Sequence, residues 1–307
     1  MANILITTSS FAEEDKTPLD LIKKRGVNAV LNPFGRTLTE EEISKLLKEY
    51  DPVGIIAGVE PITKSVLSQS KALKIISRCG VGISNVDLQA AKEKKIAVFN
   101  TPDALTESVA ELTVGLILNV LRKVSEADRK IRSGKWKKLM GTLLSGKTIG
   151  IIGCGRIGAK LADYLQSFGC TVIGHDPQIK NHGKIKMVQL EELIKTADII
   201  SLHVPLTDAT RRMVNSGFIS AMKNSSYIIN VARGEIVDEK ALFDGLISGK
   251  LAGAALDTFE KEPYQGPLTT LENVLLTAHM GSYAKESRIR MELQATQNLL
   301  KGLEDLL

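Results

Sequence analysis

Short apolar runs alternate with amphipathic segments along the whole chain. The runs are rich in isoleucine, valine and leucine, as is typical of strands that are buried on both faces. Between them, apolar residues recur at intervals of three or four, which is the period of an α-helix. In the first third of the chain the predicted strands are 3–7, 27–31, 53–57, 74–77 and 96–99, and the predicted helices are 18–25, 39–50, 64–70 and 87–94. Repeated strand–helix units predict a parallel sheet covered by helices on both faces.

The same alternation continues after a long predicted helix at residues 105–124. Six strands are predicted between residues 148 and 277, and they complete a second α/β domain. The last segment, 282–307, is again helical and is expected to pack on the first domain. The predicted fold class is therefore α/β, with two doubly wound parallel-sheet domains. A Rossmann cofactor domain, residues 101–281, is inserted in a discontinuous, flavodoxin-like substrate domain, residues 1–100 and 282–307.

A glycine-rich turn follows the predicted strand at 148–152 and opens a predicted helix near Arg156. Gly153, Gly155 and Gly158 form the pattern G-x-G-x-x-G. The first glycine permits a tight turn, the second lets a pyrophosphate approach the backbone, and the third lets helix and strand pack closely. The N–H groups and the dipole at the helix N-terminus favour phosphates. Because strand, turn, helix and second strand occur in the required order, the sequence predicts a dinucleotide-binding site.

The acid at the end of the second strand, Asp176, indicates which dinucleotide is bound. A carboxylate at this position accepts hydrogen bonds from the ribose hydroxyls and repels a 2′-phosphate. No arginine follows among Pro177, Gln178 and Ile179. We therefore predict NAD rather than NADP as the cofactor.

Composition limits the other classes of function. The net charge of +5 is mild, and the hydrophobic fraction of 43% is typical of a globular protein. The longest apolar run, 112–121, is too short to span a bilayer, and the N-terminus lacks the pattern of a signal peptide. No membrane contact and a cytoplasmic location are therefore expected. The three cysteines have no metal-ligand spacing, so no metal is expected.

A basic segment at residues 129–138, which contains Trp136, has two interpretations. One is a surface for nucleic acid, with the indole ring available for base stacking. The other is a solvated arm between the long helix and the second domain, which would pack on a second subunit. We favour the arm and expect no nucleic-acid partner, because no other feature of the chain supports nucleic-acid binding.

A bound dinucleotide implies hydride transfer, and the oxidation of an alcohol also requires a base for the hydroxyl proton. The chain has four histidines. His175 neighbours the ribose acid, His182 lies in a polar loop, and His203 follows a strand in a position that is more often structural. His279 follows the last strand, at its carboxyl end, where ligands bind in open α/β sheets. His279 is therefore the candidate acid/base.

Two further strand ends carry charged side chains. Arg233 follows the strand at 227–230, and its guanidinium can hold a carboxylate bidentately. Glu262 lies in an acidic segment after the strand at 252–255, and a carboxylate beside His279 would favour the imidazolium. Each residue also has a structural interpretation, a surface ion pair for Arg233 and a helix or turn cap for Glu262.

Seven motifs, in order along the chain, resemble those of the D-isomer-specific 2-hydroxyacid dehydrogenase family. They are RCGVGISNVD (78–87), NTPDALTESVAELTVGLIL (100–118), the GIIGCGRIG turn (150–158), HVPLT (203–207), NVARGEIVDE (230–239), ALDTFEKEP (255–263) and LLTAHMGS (275–282). The resemblance covers essentially the whole chain. Within the family the chain looks closest to the phosphoglycerate dehydrogenases, without their C-terminal regulatory extension.

The resemblance implies that Arg233 binds the substrate carboxylate, that His279 is the acid/base and that Glu262 is its partner. Backbone N–H groups of Gly80, Val81 and Gly82 would also hold the carboxylate, and Asp257 would face the nicotinamide carboxamide. The other implied cofactor contacts are Gly153, Gly155, Arg156, Ile157, Gly158, Asp176, Pro205, Thr207, Ala232 and Gly281. The resemblance also implies a homodimer formed through the cofactor domain, which agrees with the arm interpretation.

The chain departs from the expected pattern at several places. Residues 56–60, IAGVE, lack the arginine that phosphoglycerate dehydrogenases often place there for the substrate phosphate, and Ala278 replaces the usual proline before the histidine. Residues 103–107, DALTE, look more like glyoxylate and hydroxypyruvate reductases. The leading hypothesis is thus an NAD-dependent D-2-hydroxyacid dehydrogenase of the phosphoglycerate dehydrogenase type. The alternatives are a glyoxylate or hydroxypyruvate reductase and, from another class, an NAD-sensing corepressor.

Overall fold

The computed structural model describes residues 2–304. The chain divides into two compact units, which we call the small unit and the large unit. The small unit contains the chain up to Leu105 together with the part from Ser282 onward, and the large unit contains residues 106–281. None of the described helices has the length and hydrophobicity of a membrane-spanning segment. The predicted boundary at residue 101 and the assignment of the small unit to the substrate stay predictions.

The helices and strands follow the alternation predicted from the sequence. In the first part of the chain they are β1 (Asn3–Ile6), α1 (Thr17–Lys24), β2 (Asn28–Leu31), α2 (Glu40–Tyr50), β3 (Gly54–Ala57), α3 (Lys64–Leu67), β4 (Ile75–Arg78), α4 (Leu88–Glu93) and β5 (Ala97–Phe99). In the large unit they are α5 (Thr106–Arg122), α6 (Val124–Arg132), β6 (Thr148–Ile152), α7 (Arg156–Gln166), β7 (Thr171–His175), β8 (Lys186–Met187), α8 (Leu190–Thr196), β9 (Ile199–Leu202), α9 (Ser216–Ala221), β10 (Ser226–Asn230), α10 (Glu239–Ile247), β11 (Leu251–Leu256) and β12 (Val274–Leu276). The last helix, α11 (Lys285–Glu304), belongs to the small unit. Short 3-10 turns lie at Gly234–Ile236 and Pro267–Thr270.

The sheet of the small unit has the strand order β2-β1-β3-β4-β5, and its strands are parallel. This is the flavodoxin-like order. The last helix covers one face, where Leu299 lies 3.1 Å from the position that a Cβ of Gly54 would occupy. The hydroxyl of Ser77 also donates to the carbonyl of Ala295 at 2.7 Å. The C-terminal helix therefore completes the sheet that the first residues of the chain begin.

The sheet of the large unit has the order β12-β11-β10-β9-β6-β7-β8, again with parallel strands. Within residues 2–304 it contains seven strands, so the predicted number of six is wrong. The short strand β8 pairs with β7 and extends the sheet at that edge. The strand order reverses at β6, which lies between β7 and β9, and the fold class predicted from the sequence is confirmed.

The long helix predicted at 105–124 is broken, and part of the basic segment is helical. Helix α5 ends at Arg122, Lys123 takes a left-handed φ of +55°, and α6 then runs to Arg132. Lys130 pairs with Glu126 at 2.9 Å and also with Glu272 at 3.1 Å. Acidic partners thus offset part of the positive charge that the sequence concentrates here.

A capping box at the start of α2 generates a stability prediction. The backbone N–H of Glu42 donates to the Thr39 hydroxyl, and the Glu42 carboxylate accepts from the Thr39 N–H at 2.9 Å. Thr39→Ala removes the first of these two bonds. We expect urea unfolding to show that the free energy of unfolding falls by about 1 kcal/mol. Thr39→Ser keeps the hydroxyl and should unfold as the wild type does; equal losses in both variants would contradict the role of the cap.

Candidate active site

The glycine turn follows β6 at the point where the strand order reverses. Gly153 has a φ of +95°, and a Cβ there would lie 2.6 Å from the backbone of His203. A side chain on Gly158 would collide with the carbonyl oxygen of Gly153, whereas nothing lies within 4 Å of a Cβ built on Gly155. Helix α7 starts at Arg156, and its N-cap makes no side-chain hydrogen bond. The turn therefore offers open space and backbone N–H groups to a pyrophosphate.

Asp176 is held against this turn by its own hydrogen bonds. One carboxylate oxygen accepts from the N–H of Cys154 at 2.9 Å, and the other accepts from the N–H of Gln178 at 2.9 Å. A carboxylate has about four acceptor sites, so ribose hydroxyls can still donate to it. The glycine turn and the acid together fit a dinucleotide.

Other predicted cofactor residues lie at the same edge of the sheet. Pro205 and Thr207 follow β9 in a loop that the Thr210 hydroxyl holds, since it donates to the Pro205 carbonyl at 2.7 Å and accepts from the Thr207 N–H at 2.8 Å. Ala232 follows β10, and its N–H donates to the Asn230 side chain at 3.0 Å. Arg156 and Ile157 form the first turn of α7, the former exposed and the latter partly buried.

The structure brings His279 and Glu262 together. Nδ1 of His279 lies 2.9 Å from a carboxylate oxygen of Glu262, and each side chain is 40% exposed. The second oxygen of Glu262 accepts from the N–H of Phe259 at 3.1 Å. Because Glu262 engages Nδ1, Nε2 is the ring nitrogen left to exchange a proton with a substrate.

The surroundings of Glu262 favour its ionised form. Burial opposes ionisation, but the hydrogen bond and charge of His279, the N–H of Phe259 and the charge of Arg233 together lower the pKa of the Glu262 carboxyl below its ordinary value. Arg233 and Glu262 follow the paired strands β10 and β11, so the two residues lie at neighbouring strand ends. Arg233 follows β10, is partly buried, and donates from Nη1 to the carbonyl of Ala232 at 2.6 Å.

The turn at Gly80, Val81 and Gly82 belongs to the small unit. Gly80 has a φ of +146°, and its N–H donates to the Thr101 hydroxyl at 2.8 Å. This bond occupies one of the three N–H groups expected to hold a carboxylate, so those of Val81 and Gly82 are the ones left for it. The carbonyl of Val81 accepts from the Asn100 side chain at 2.7 Å, which fixes the turn.

Sequence reasoning missed several residues that shape this edge of the large sheet. Asn230 is buried and bonds to both sides of the Arg233 loop, and Thr277 donates to Asp257 at 2.6 Å. The sequence feature that could have identified them is their position at predicted strand ends, Asn230 in the motif NVARG and Thr277 in the motif LLTAH. In the described part of the chain, no group of three His, Cys, Asp or Glu side chains is placed to hold a metal ion.

Fold and glycine turn define a dinucleotide-binding α/β protein. A family model described as D-isomer specific 2-hydroxyacid dehydrogenase, NAD binding domain, matches residues 114–281. D-3-phosphoglycerate dehydrogenase of Methanocaldococcus jannaschii is 42% identical over 259 residues, which are 82% of this chain and 49% of that protein. Hydroxypyruvate reductase of Thermotoga maritima is 40% identical over 273 residues, which are 87% of this chain and 89% of that protein. The crystal structure of the TT0316 protein of Thermus thermophilus has a TM-score of 0.92 at 38% identity and covers 99% of this chain and 97% of that one.

The chain belongs to the D-isomer-specific 2-hydroxyacid dehydrogenase family, and the resemblance inferred from its motifs is confirmed. The match to an NAD-binding domain also confirms NAD as the predicted cofactor. The chain spans about half the length of the phosphoglycerate dehydrogenase that it matches and most of the length of the hydroxypyruvate reductase.

His203 is close to the glycine turn and generates a pH prediction. Its Nε2 lies 2.8 Å from the Ser201 hydroxyl, and burial lowers the pKa of its imidazole to about 4, although part of the residue reaches solvent. The unfolded chain takes up this proton near pH 6.5. Between these pH values the unfolded state binds more protons, so the free energy of unfolding should fall as pH decreases, by at most ~1.4 kcal/mol per pH unit.

The pH dependence is measured by urea unfolding between pH 4.5 and 7. His203→Gln should flatten the slope over this range because the replacement does not titrate. His182→Gln, in the polar loop, is the control and should keep the slope of the wild type. Identical slopes in the two variants would show that His203 is not the group responsible.

Proposed function

We propose that this protein is an NAD-dependent oxidoreductase that interconverts D-2-hydroxy acids and 2-keto acids. The observation that carries the proposal is the His279–Glu262 pair, 2.9 Å apart and within the field of Arg233. These three side chains follow β12, β11 and β10, and the glycine turn follows β6 in the same parallel sheet. Their convergence supplies the binding cation, the proton carrier and the dinucleotide site that the reaction requires.

Arg233 binds the substrate carboxylate in this proposal. A guanidinium matches the two oxygens of a carboxylate, and this pairing fixes orientation as well as position. The same positive charge polarises the oxygen on C2 and makes the carbon a better hydride acceptor. The family resemblance adds the N–H groups of Val81 and Gly82 as further donors to the carboxylate.

His279 exchanges the proton of the C2 hydroxyl through Nε2. Glu262 holds Nδ1, so the ring keeps one orientation, and its negative charge stabilises the imidazolium that forms when an alcohol is oxidised. In the reverse direction the imidazolium donates the proton to the oxygen of the 2-keto acid. The chemistry that NAD supplies when bound is the transfer of a hydride to or from C2.

The end of β3 favours an unphosphorylated substrate. Glu60 is buried there; its carboxylate accepts from the N–H of Gly58 at 2.9 Å and is hydrogen-bonded to the Thr7 hydroxyl. A carboxylate in the place where phosphoglycerate dehydrogenases often have an arginine would repel a phosphate rather than attract it. With the near full-length likeness to a hydroxypyruvate reductase, this supports hydroxypyruvate or glyoxylate as the keto acid.

A phosphorylated substrate is the second candidate, and it also has an observation in its favour. Arg78 is buried beside the Gly80 turn, where its guanidinium would meet any side chain placed on Gly80. The likeness to a phosphoglycerate dehydrogenase at 42% identity supports the same substrate. Rates with NADH and 3-phosphohydroxypyruvate, hydroxypyruvate, glyoxylate or pyruvate decide between the candidates, and no activity with any of them would favour the corepressor alternative.

The segment at residues 133–146 supports a homodimer. Trp136 is 86% exposed and Met140 88% exposed, and Leu143 is exposed as well. Three large, exposed apolar side chains within eight residues mark a candidate interaction site. We propose a second copy of this chain as the partner, which sedimentation measurements can test. The cytoplasmic location stays a prediction.

The role of His279 can be tested by substitution. General acid/base catalysis contributes about 10²–10⁴ in rate, so His279→Ala should lower kcat by that factor with the preferred keto acid and NADH. Circular dichroism should show an unchanged fold. His182→Ala removes a histidine from a polar loop and should retain full activity. A His279→Ala variant as active as the wild type would exclude the proposed mechanism.

The role of Asp176 can be tested through cofactor preference. Asp176→Ser removes the negative charge that repels a 2′-phosphate. It also removes a charged hydrogen-bond acceptor for the ribose hydroxyls, which contributes about 1.5–3 kcal/mol to binding. We therefore expect the ratio of kcat/KM for NADH to that for NADPH to fall by roughly 10- to 100-fold. Asp244→Ser, on the exposed face of α10, is the matched control. An unchanged ratio in Asp176→Ser would assign the discrimination to another residue.

A further inference from the structure

The carboxylate of Asp257 lies beneath the loop that carries His279. Asp257 follows β11 and is 1% exposed. One of its oxygens accepts from the Thr277 hydroxyl at 2.6 Å and from the N–H of Met280 at 2.8 Å. The other accepts from the N–H of Gly281 at 2.9 Å. A single buried side chain therefore binds the chain on both sides of His279.

The backbone of His279 explains why these bonds converge. His279 has a φ of +50°, a left-handed conformation that non-glycine residues adopt at a cost. Its N–H donates to the carbonyl of Thr277 at 3.1 Å, which closes a three-residue turn. The left-handed residue then directs the next two N–H groups toward one anion, as in the backbone concavities that bind anions elsewhere. Here the anion is the protein's own carboxylate.

The strand register fixes the carboxylate in turn. The N–H of Asp257 donates to the carbonyl of Asn230 at 2.8 Å, and the N–H of Thr277 donates to the carbonyl of Leu256 at 3.0 Å. These bonds continue the ladders of β10 with β11 and of β11 with β12 beyond the ends of the strands. The loop of His279 is therefore tied to the sheet through Asp257 and does not depend on a proline, since Ala278 precedes the histidine.

We propose that Asp257 and the Thr277 hydroxyl are positioning residues that hold His279 in its left-handed conformation and so aim its imidazole at the substrate. The inference rests on the proposed function, in which His279 carries the proton. It assigns to Asp257 a task besides the contact with the nicotinamide carboxamide that the family resemblance implies. Since three donors occupy the carboxylate and it has about four acceptor sites, one site is left for that contact.

The experiment uses Thr277, because its side chain is assigned to neither cofactor nor substrate. Thr277→Val keeps the shape and removes the hydrogen bond to Asp257. A misplacement of about 1 Å can cost 10²-fold in rate, so kcat should fall by roughly 10- to 100-fold while the KM for NADH stays unchanged. Thr277→Ser restores the hydroxyl and should restore kcat.

Two controls separate positioning from general damage. Thr113→Val removes another buried threonine bond of the large unit, the 2.6 Å bond to the Val109 carbonyl, and should leave kcat unchanged. The second control is the double variant Thr277→Val with His279→Ala, assayed at high enzyme concentration. If Thr277 acts through His279, the valine should have no further effect on kcat once the imidazole is absent.

A wild-type kcat in Thr277→Val would overturn the proposal. The proposal would also fail if the valine lowered kcat by the same factor in the His279→Ala background as it does alone. If Thr277→Val does not fold, Thr277→Ala takes its place in the same cycle, since it also removes the hydroxyl that donates to Asp257. A failure of the proposed function gives a different result, because the wild type would then reduce none of the four keto acids, or His279→Ala alone would retain full activity.

Discussion

The parallel pairing of the strands in the large unit is the constraint on which the candidate site depends. In a parallel sheet every strand ends at the same edge, so the residues that follow the strands meet there although they are distant in sequence. The glycine turn follows β6, Arg233 follows β10, Glu262 and Asp257 follow β11, and His279 follows β12. Hydrogen bonds of the ladder fix which strand ends are neighbours, and thereby which side chains can act together.

Charged groups at such an edge are stable only if the protein satisfies them. Three carboxylates of the candidate site accept hydrogen bonds from backbone N–H groups: Asp176 from Cys154 and Gln178, Asp257 from Met280 and Gly281, and Glu262 from Phe259. Each of these bonds fixes a loop against a carboxylate. The same groups therefore supply negative charge and order the backbone around it. Arg233 contributes the opposite charge, which helps to lower the pKa of the Glu262 carboxyl.

Much of the fold follows from local patterns. The helix that begins after Thr39, the strand at Thr148–Ile152 and the glycine turn after it all occur where the sequence predicts them. The break at Lys123 was missed because one left-handed residue leaves no compositional mark. The helix Val124–Arg132 was missed because its basic residues were interpreted as part of a solvated arm. Its acidic residues, placed four positions before Lys130 and Arg132, were the signal of a helix.

The sequence by itself determined the alternation of strands and helices, the dinucleotide turn and the position of the acid that is predicted to select NAD, because each of these depends on residues close together in the chain. Only the tertiary structure decided that Glu262 contacts His279, that Asp257 binds both sides of the His279 loop, and that the Gly80 N–H is occupied by Thr101. These contacts join residues that strand order and register bring together. The left-handed backbone of His279 is stabilised by such contacts, so no local sequence pattern could predict it.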